Sequence, residues 1–172
     1  MNASSMKNVR LLSRCLITLL LTATANADTP VERQSLKGIQ GVYVYHEKLH
    51  SSLVAMGLTD DMVQTDVEVK LRLAGIKVLT DSDLLKTPGG PSLYVNLNVL
   101  TSRSGQCAFS SRVELQQGAS LVRNGEVLPA AVTWSTGGVG MVGRSSAVEF
   151  IRNDVKDHVD EFVNAYLSVN PK

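Results

Sequence analysis

The sequence has little cysteine, few aromatic residues and no excess of charge of either sign. Cys15 lies in an N-terminal leader, so Cys107 has no partner with which to form an intramolecular disulfide. Three of the 17 basic residues and none of the 16 acidic residues fall within residues 1–27, which leaves residues 28–172 with a net charge of −2. That charge provides no basic surface for nucleic acid or for anionic lipid.

Long apolar runs are also lacking. The apolar run over residues 15–21 is too short for a transmembrane helix, which needs about 20 residues. Cys15 stands at the start of this run rather than after it, so it does not match a lipoprotein attachment cysteine. We therefore expect no stable membrane anchor.

The leader itself matches a signal peptide. Its apolar run follows three basic residues, Lys7, Arg10 and Arg14. Ala25-Asn26-Ala27 then offers small residues at the −3 and −1 positions of a signal-peptidase site. We predict that residues 1–27 are removed and that the mature protein is exported to the periplasm or the cell exterior.

Residues 28–172 have a length suited to one domain. Their patterning predicts the order β-α-β-β-β-β-α, an α+β fold with a single mixed sheet of about five strands and two helices packed on one face. Residues 76–79 are predicted to be a short second strand, and residues 28–38 a loose lead-in. Asn124-Gly125 predicts a hairpin turn before the last strand, in which Pro129 indicates an edge or a bulge.

Two helices have recognisable starts. Thr59 is predicted to cap the first, and Gly75 to end it. Ser146 and Glu149 match a capping box at the start of the last helix. That helix carries an apolar stripe at spacings of three and four residues, which predicts packing on the sheet: Ile151, Val155, Val159, Phe162 and Tyr166.

The strand over residues 92–100 alternates between apolar and polar side chains, and the next strand continues the pattern. Cys107 shares the inward parity and is predicted to be buried. The other side of both strands should form one face that neither helix covers. We predict that a protein partner or a second subunit binds there, with these candidate residues: Tyr94, Asn96, Asn98, Arg112, Glu114 and Gln116.

His46-Glu47-Lys48-Leu49-His50 matches His-Glu-x-x-His, in which two histidines one helical turn apart bind zinc and the glutamate is the general base. Glu68 is a conceivable third ligand. However, the motif runs directly out of a predicted strand, on which His46 and His50 would lie about 13 Å apart. If this motif is the end of a strand, we expect its polar side chains to be exposed and to form no metal site.

Gly138-Val139-Gly140-Met141-Val142-Gly143 matches the dinucleotide-binding pattern Gly-x-Gly-x-x-Gly. The chain lacks the following strand that would carry the ribose-binding acid, so we expect no nucleotide cofactor. Residues 137–143 are instead predicted to be a flexible glycine-rich loop. His158, on the last predicted helix, forms no visible catalytic triad with the other histidines.

Four short stretches carry a resemblance. They are Leu71-Arg72-Leu73-Ala74-Gly75-Ile76, Leu93-Tyr94-Val95-Asn96, Ala131-Val132-Thr133-Trp134 and Asn170-Pro171. On these stretches, residues 58–171 resemble a group of uncharacterised exported bacterial proteins. The resemblance implies a compact α/β domain without an assigned activity, and it transfers no catalytic residue.

Together these features predict an exported, non-catalytic α+β domain that binds a partner or supports an envelope process. The alternative is a zinc hydrolase that uses His46, Glu47 and His50. Zinc analysis of the mature protein, with His46→Ala as the comparison, distinguishes the two.

Overall fold

The computed structural model of the chain describes residues 29–171, and the signal peptide predicted over residues 1–27 lies outside them. The strands are Tyr43–His46 (β1), Ser92–Thr101 (β2), Gln106–Ser120 (β3) and Val127–Gly143 (β4). The helices are Pro30–Gln34 (α1), Ser51–Ala55 (α2), Asp60–Leu73 (α3), Asp81–Leu84 (α4) and Ala147–Val169 (α5), the last preceded by a 3-10 turn over Arg144–Ser146.

The four strands form one mixed sheet in the order β1-β2-β3-β4. β1 pairs with β2 in parallel, and the two remaining pairs are antiparallel. The long helices α3 and α5 contact each other, α5 packs on β3 and β4, and α3 packs on β1. The predicted α+β class, with both long helices on one side of a mixed sheet, is confirmed.

The sheet has one strand fewer than the sequence predicts. Residues 76–79 form only an isolated parallel bridge, between Val42 and Val78. The backbones of the two segments lie close together here, since a Cβ atom on Gly41 would lie 2.6 Å from the carbonyl oxygen of Lys77. Thr80 then caps α4, so the chain turns into a helix before a ladder can extend.

The glycine-rich segment, residues 137–143, belongs to β4 and is not a loop, so this prediction was wrong. Two of its glycines lie where the sheet has no room for a side chain. A Cβ atom on Gly137 would lie 2.6 Å from the carbonyl oxygen of Ser111, and one on Gly140 would lie 2.5 Å from the ring of Phe109. Glycine here permits close strand contact rather than flexibility.

The β3–β4 hairpin lies where Asn124-Gly125 predicts it, and β4 is an edge strand, as Pro129 indicated. Gly125 has a φ of +71°, and no non-glycine residue among those described has a positive φ. The connection is therefore not the two-residue turn that requires positive φ at both positions.

Helix starts were predicted with mixed success. The Thr59 side chain accepts a hydrogen bond from the Met62 N–H, which confirms the cap of α3. The capping box at Ser146 does not form, because a 3-10 turn leaves Ser146 at φ −107° and ψ 0° instead of the extended conformation of an N-cap. The lead-in contains α1, where Thr29 and Glu32 form a capping box of their own.

One hydrophobic core fills the space between the sheet and the long helices. The apolar side chains of β2 and β3 that alternate inward are buried there, and Cys107 is fully buried as predicted. The stripe of α5 packs as predicted: Ile151, Val155, Val159 and Phe162 are buried, and the hydroxyl of Tyr166 donates to the carbonyl of Ile39 at 2.7 Å. Phe162 meets Trp134 edge to face at 5.3 Å.

Candidate functional site

The candidate site is the side of the sheet opposite α3 and α5, here called the open face. On β2 the polar Tyr94, Asn96 and Asn98 alternate with buried apolar residues. The register places Glu114 opposite Tyr94 and Arg112 opposite Asn96 on β3. The structure therefore brings together the six side chains that the sequence assigned to one face, while their role in binding stays a prediction.

Hydrogen bonds link the open-face side chains of β2 to one another and to Glu47, the residue that follows β1. The Asn98 amide donates to the amide oxygen of Asn96 at 2.6 Å, and the Asn96 amide donates to a Glu47 carboxylate oxygen at 2.6 Å. The Tyr94 hydroxyl lies 3.5 Å from the Asn96 amide nitrogen. This network holds the side chains in place, so an incoming partner would meet preorganised groups.

Two tyrosines stand side by side on this network. Tyr45 on β1 is opposite Tyr94 on β2, and their rings stack with centroids 5.7 Å apart and an angle of 21° between planes. Burial, and then the hydrogen bond and charge of Glu47, raise the pKa of Tyr94 to about 12. Its phenol thus stays neutral at physiological pH and keeps its proton for donation.

The β3 side of the face carries one exposed cation. A terminal nitrogen of Arg112 lies 3.4 Å from Glu114, and the Gln116 amide donates to the same carboxylate at 3.3 Å. The Arg112 side chain is 66% exposed while that of Glu114 is only 12% exposed. Arg112 therefore offers most of its donors to a partner, and Glu114 mainly fixes its position.

Beyond the polar network, the open face ends in an exposed apolar row. Leu100, Ala108 and Met141 lie opposite one another on three adjacent strands, and Val139 is the next outward residue of β4. Leu100, Val139 and Met141 are each at least 70% exposed. Sequence reasoning missed this row because residues 137–143 were assigned to a loop; the alternation of Val139 and Met141 with glycine was the available signal.

The His-Glu-x-x-His residues are spread over separate elements. His46 ends β1, with its Nδ1 3.6 Å from an Asp60 oxygen. His50 caps α2, where its Nδ1 accepts from the Ser52 N–H at 3.2 Å. The segment is thus not the helix that a zinc motif requires, and within residues 29–171 no three His, Cys, Asp or Glu side chains are arranged to hold a metal ion.

Glu68, the conceivable third ligand, lies on α3 and is engaged within that helix. It accepts from the Gln64 amide at 2.5 Å and pairs with Arg72 at 2.8 Å. The arrangement gives the zinc-hydrolase alternative no support.

Comparison with known proteins gives little further guidance. No model of a protein family and no curated protein matches the chain. Among solved structures, it is similar to a minor lipoprotein from Acinetobacter baumannii, with 12% identity, coverage of 74% of this chain and 93% of that one, and a TM-score of 0.30. That similarity is too low to carry an argument. None of the helices within residues 29–171 has the length and hydropathy of a membrane span.

Proposed function

We propose that this chain is an exported, non-catalytic domain that binds a protein through its open face. The observation that carries the proposal is the one-sided sheet: α3 and α5 lie on one side, and the other side presents stacked tyrosines, linked amides and an exposed arginine. Antiparallel sheets commonly keep one face in water, and on this one the aromatic pair and the exposed arginine are residue types enriched at protein interfaces.

The chemistry of the open face suits a protein partner. Tyr45 and Tyr94 provide large, rigid contact area at low entropic cost, and arginine and tyrosine are enriched where binding energy concentrates. The apolar row of Leu100, Val139 and Met141 would gain about 25 cal/mol for each Å² of apolar surface removed from water. These groups spread over four strands instead of converging on one point, which favours an extended protein surface over a small molecule.

Non-catalytic binding is favoured over hydrolysis because the zinc motif is not assembled. His46 and His50 lie on different elements, and His50 uses Nδ1 to cap α2. The exposed groups of the open face are donors and acceptors that already bond to one another, an arrangement that suits recognition.

The test removes Tyr94 and Arg112, the two open-face side chains that we expect to contribute most to the free energy of binding. Tyr94→Ala with Arg112→Ala should weaken self-association in sedimentation, or capture of a defined partner, by at least about tenfold, because such anchors contribute about 2 kcal/mol or more. Thermal stability should change little. The matched control is Arg72→Ala with Leu73→Ala, which removes an arginine paired with glutamate and a large exposed side chain from α3.

Equal weakening by both double variants, or undiminished association of the Tyr94 and Arg112 variant, would refute the proposal. Sedimentation of the purified protein alone shows which kind of partner binds. Association without any other protein identifies a second copy of the chain, and its absence identifies a different protein.

A further inference from the structure

A second group of polar side chains lies on the opposite side of the sheet, between its inner face and α5. Ser111 on β3, Thr136 on β4 and His158 on α5 are buried, and Asp154 and Glu161 lie one turn to either side of His158. We call these five residues the buried polar cluster. It plays no part in the open face.

Each carboxylate of the cluster is tied to a different strand. The Ser111 hydroxyl donates to Asp154, and the Thr136 hydroxyl donates to Glu161. The imidazole of His158 lies between them, with Nε2 3.5 Å from Asp154 and Nδ1 3.7 Å from Glu161. The cluster thus connects α5 to both β3 and β4 through one histidine.

The surroundings of the His158 ring favour its protonated form. Both ring nitrogens are shielded from solvent and have no hydrogen-bond partner within ordinary distance, and each lies near one carboxylate of the cluster. Ionised carboxylates are acceptors only, and neutral imidazole has a single N–H. Neutral His158 therefore turns a lone pair toward one carboxylate, whereas the imidazolium offers an N–H to each.

Among the described residues, the charged groups that act on the ring are Asp154 and Glu161, both of them acidic. On the sheet side, the cluster contains the hydroxyls of Ser111 and Thr136, and a Cβ atom on Gly138 would lie 3.5 Å from Nε2 of the ring; none of these three residues is charged. The ion pairs between α3 and α5 are made by other residues, Lys70 with Asp160 and Arg152 with Asp66.

We propose that the buried polar cluster is a pH-sensitive latch: protonated His158 secures α5 to β3 and β4, and loss of its proton weakens the packing of the helix on the sheet. An exported protein, as predicted here, meets environments whose pH varies more than that of the cytoplasm. The latch would make the packing of α5 on the sheet depend on that pH.

The direction follows from the charges around the ring. Burial lowers the pKa of His158, but the nearby carboxylate of Asp154 and, after it, that of Glu161 outweigh burial, so the pKa is raised above its ordinary value. Because the pKa of His158 is higher in the folded than in the unfolded protein, its protonation stabilises the folded protein fully below the unfolded pKa of about 6.5. That stabilisation is lost as the pH rises through the folded value.

Asp154 sets the lower limit of the pH range in which the latch is complete. Burial raises its pKa, but the nearby His158 ring and the hydrogen bond from Ser111 outweigh burial and leave the pKa lowered. Its contribution is present above the unfolded carboxyl value of about 3.9 and is lost as the pH falls through the folded value. The latch is complete between these two limits.

Nuclear magnetic resonance titration of the His158 ring, combined with urea unfolding between about pH 5.5 and 9, tests the proposal. In the folded wild type, the pKa of His158 should exceed about 6.5. The folding equilibrium constant of the wild type should fall by at least about fivefold more over this range than that of His158→Gln. Asp157→Asn, which removes an exposed carboxylate from the same helix, should behave like the wild type.

If His158→Gln does not fold, Glu161→Gln replaces it in the test. Glu161 is half-exposed, so this variant should fold, and the loss of its charge should lower the pKa of His158. A His158 pKa at or below about 6.5 in the folded wild type would overturn the proposal. So would a pH dependence of unfolding that is the same in the wild type and in the Glu161 or His158 variants.

Discussion

The ring of Phe109 lies over Gly140, its partner on the neighbouring strand. A Cβ atom on Gly140 would lie 2.5 Å from Cε1 and 2.6 Å from Cζ of that ring. Phe150 of α5 contacts the same ring edge to face, with the centroids of Phe109 and Phe150 5.8 Å apart. The glycine therefore lets β3, β4 and α5 pack together around one aromatic ring.

Gly140→Ala should destabilise the protein by about 1–3 kcal/mol, because the added methyl group forces the Phe109 ring out of its position. Gly143→Ala is the matched control, since a Cβ atom there has nothing within 4 Å and the change should stay within about 0.5 kcal/mol. Urea unfolding of both variants measures the difference. Similar small losses for both would show that the ring moves aside easily.

The Gly140 contact also marks the limit of what the sequence could predict. Strand β2 and helix α5 were predictable because their apolar periodicity is set by one buried face each. The four glycines between residues 137 and 143 erase such a periodicity from β4. The facing strand explains Gly137 and Gly140, and the His158 ring on α5 lies against Gly138. A single sequence does not identify which residue lies opposite.

The candidate site was predictable to a similar extent. Alternation along β2 placed Tyr94, Asn96 and Asn98 on one face, and the structure confirms that placement. Tyr45 on β1 and Glu47, which follows β1, were missed because the parallel register of β1 with β2 is a long-range feature. His158 was missed as a buried residue, although it lies at helical spacing from Ile151, Val155 and Phe162.

Phe162→Ala should cost about 3–5 kcal/mol, because the side chain is fully buried and its removal leaves a cavity beside Trp134. Phe150→Ala is a matched change on the same helix, where the ring is 44% exposed, and it should cost only about 1 kcal/mol. Chemical denaturation compares the two. A loss below about 1 kcal/mol for Phe162→Ala would show that α5 contributes less to the core than its packing indicates.

Tyr94 should titrate later than an ordinary tyrosine, with a pKa of about 12. Because the folded pKa is raised, the associated stabilisation is complete below the unfolded value of about 10 and is lost as the pH rises through the folded value. Glu47→Gln should lower the pKa of Tyr94, whereas Glu149→Gln on α5 should not. The difference in tyrosinate absorbance between the wild type and Tyr94→Phe isolates this one phenol.

Export should remove residues 1–27. N-terminal sequencing of the exported protein should read Asp28-Thr29-Pro30, since Ala25 and Ala27 fit the cleavage site. Ala27→Phe should block cleavage and leave the longer chain in the membrane fraction. An exported protein that retains its first 27 residues would contradict the prediction.

Site-specific photo-cross-linking tests the central claim, that the open face is the binding surface, most directly. A benzophenone amino acid in place of Asn98 lies on the open face, and one in place of Asp157 lies on the exposed side of α5; both positions are exposed. In cells that express the protein, position 98 should yield a discrete cross-linked product with a partner or a second copy, and position 157 should not. Equal yields at both positions, or a product from position 157 alone, would contradict the account.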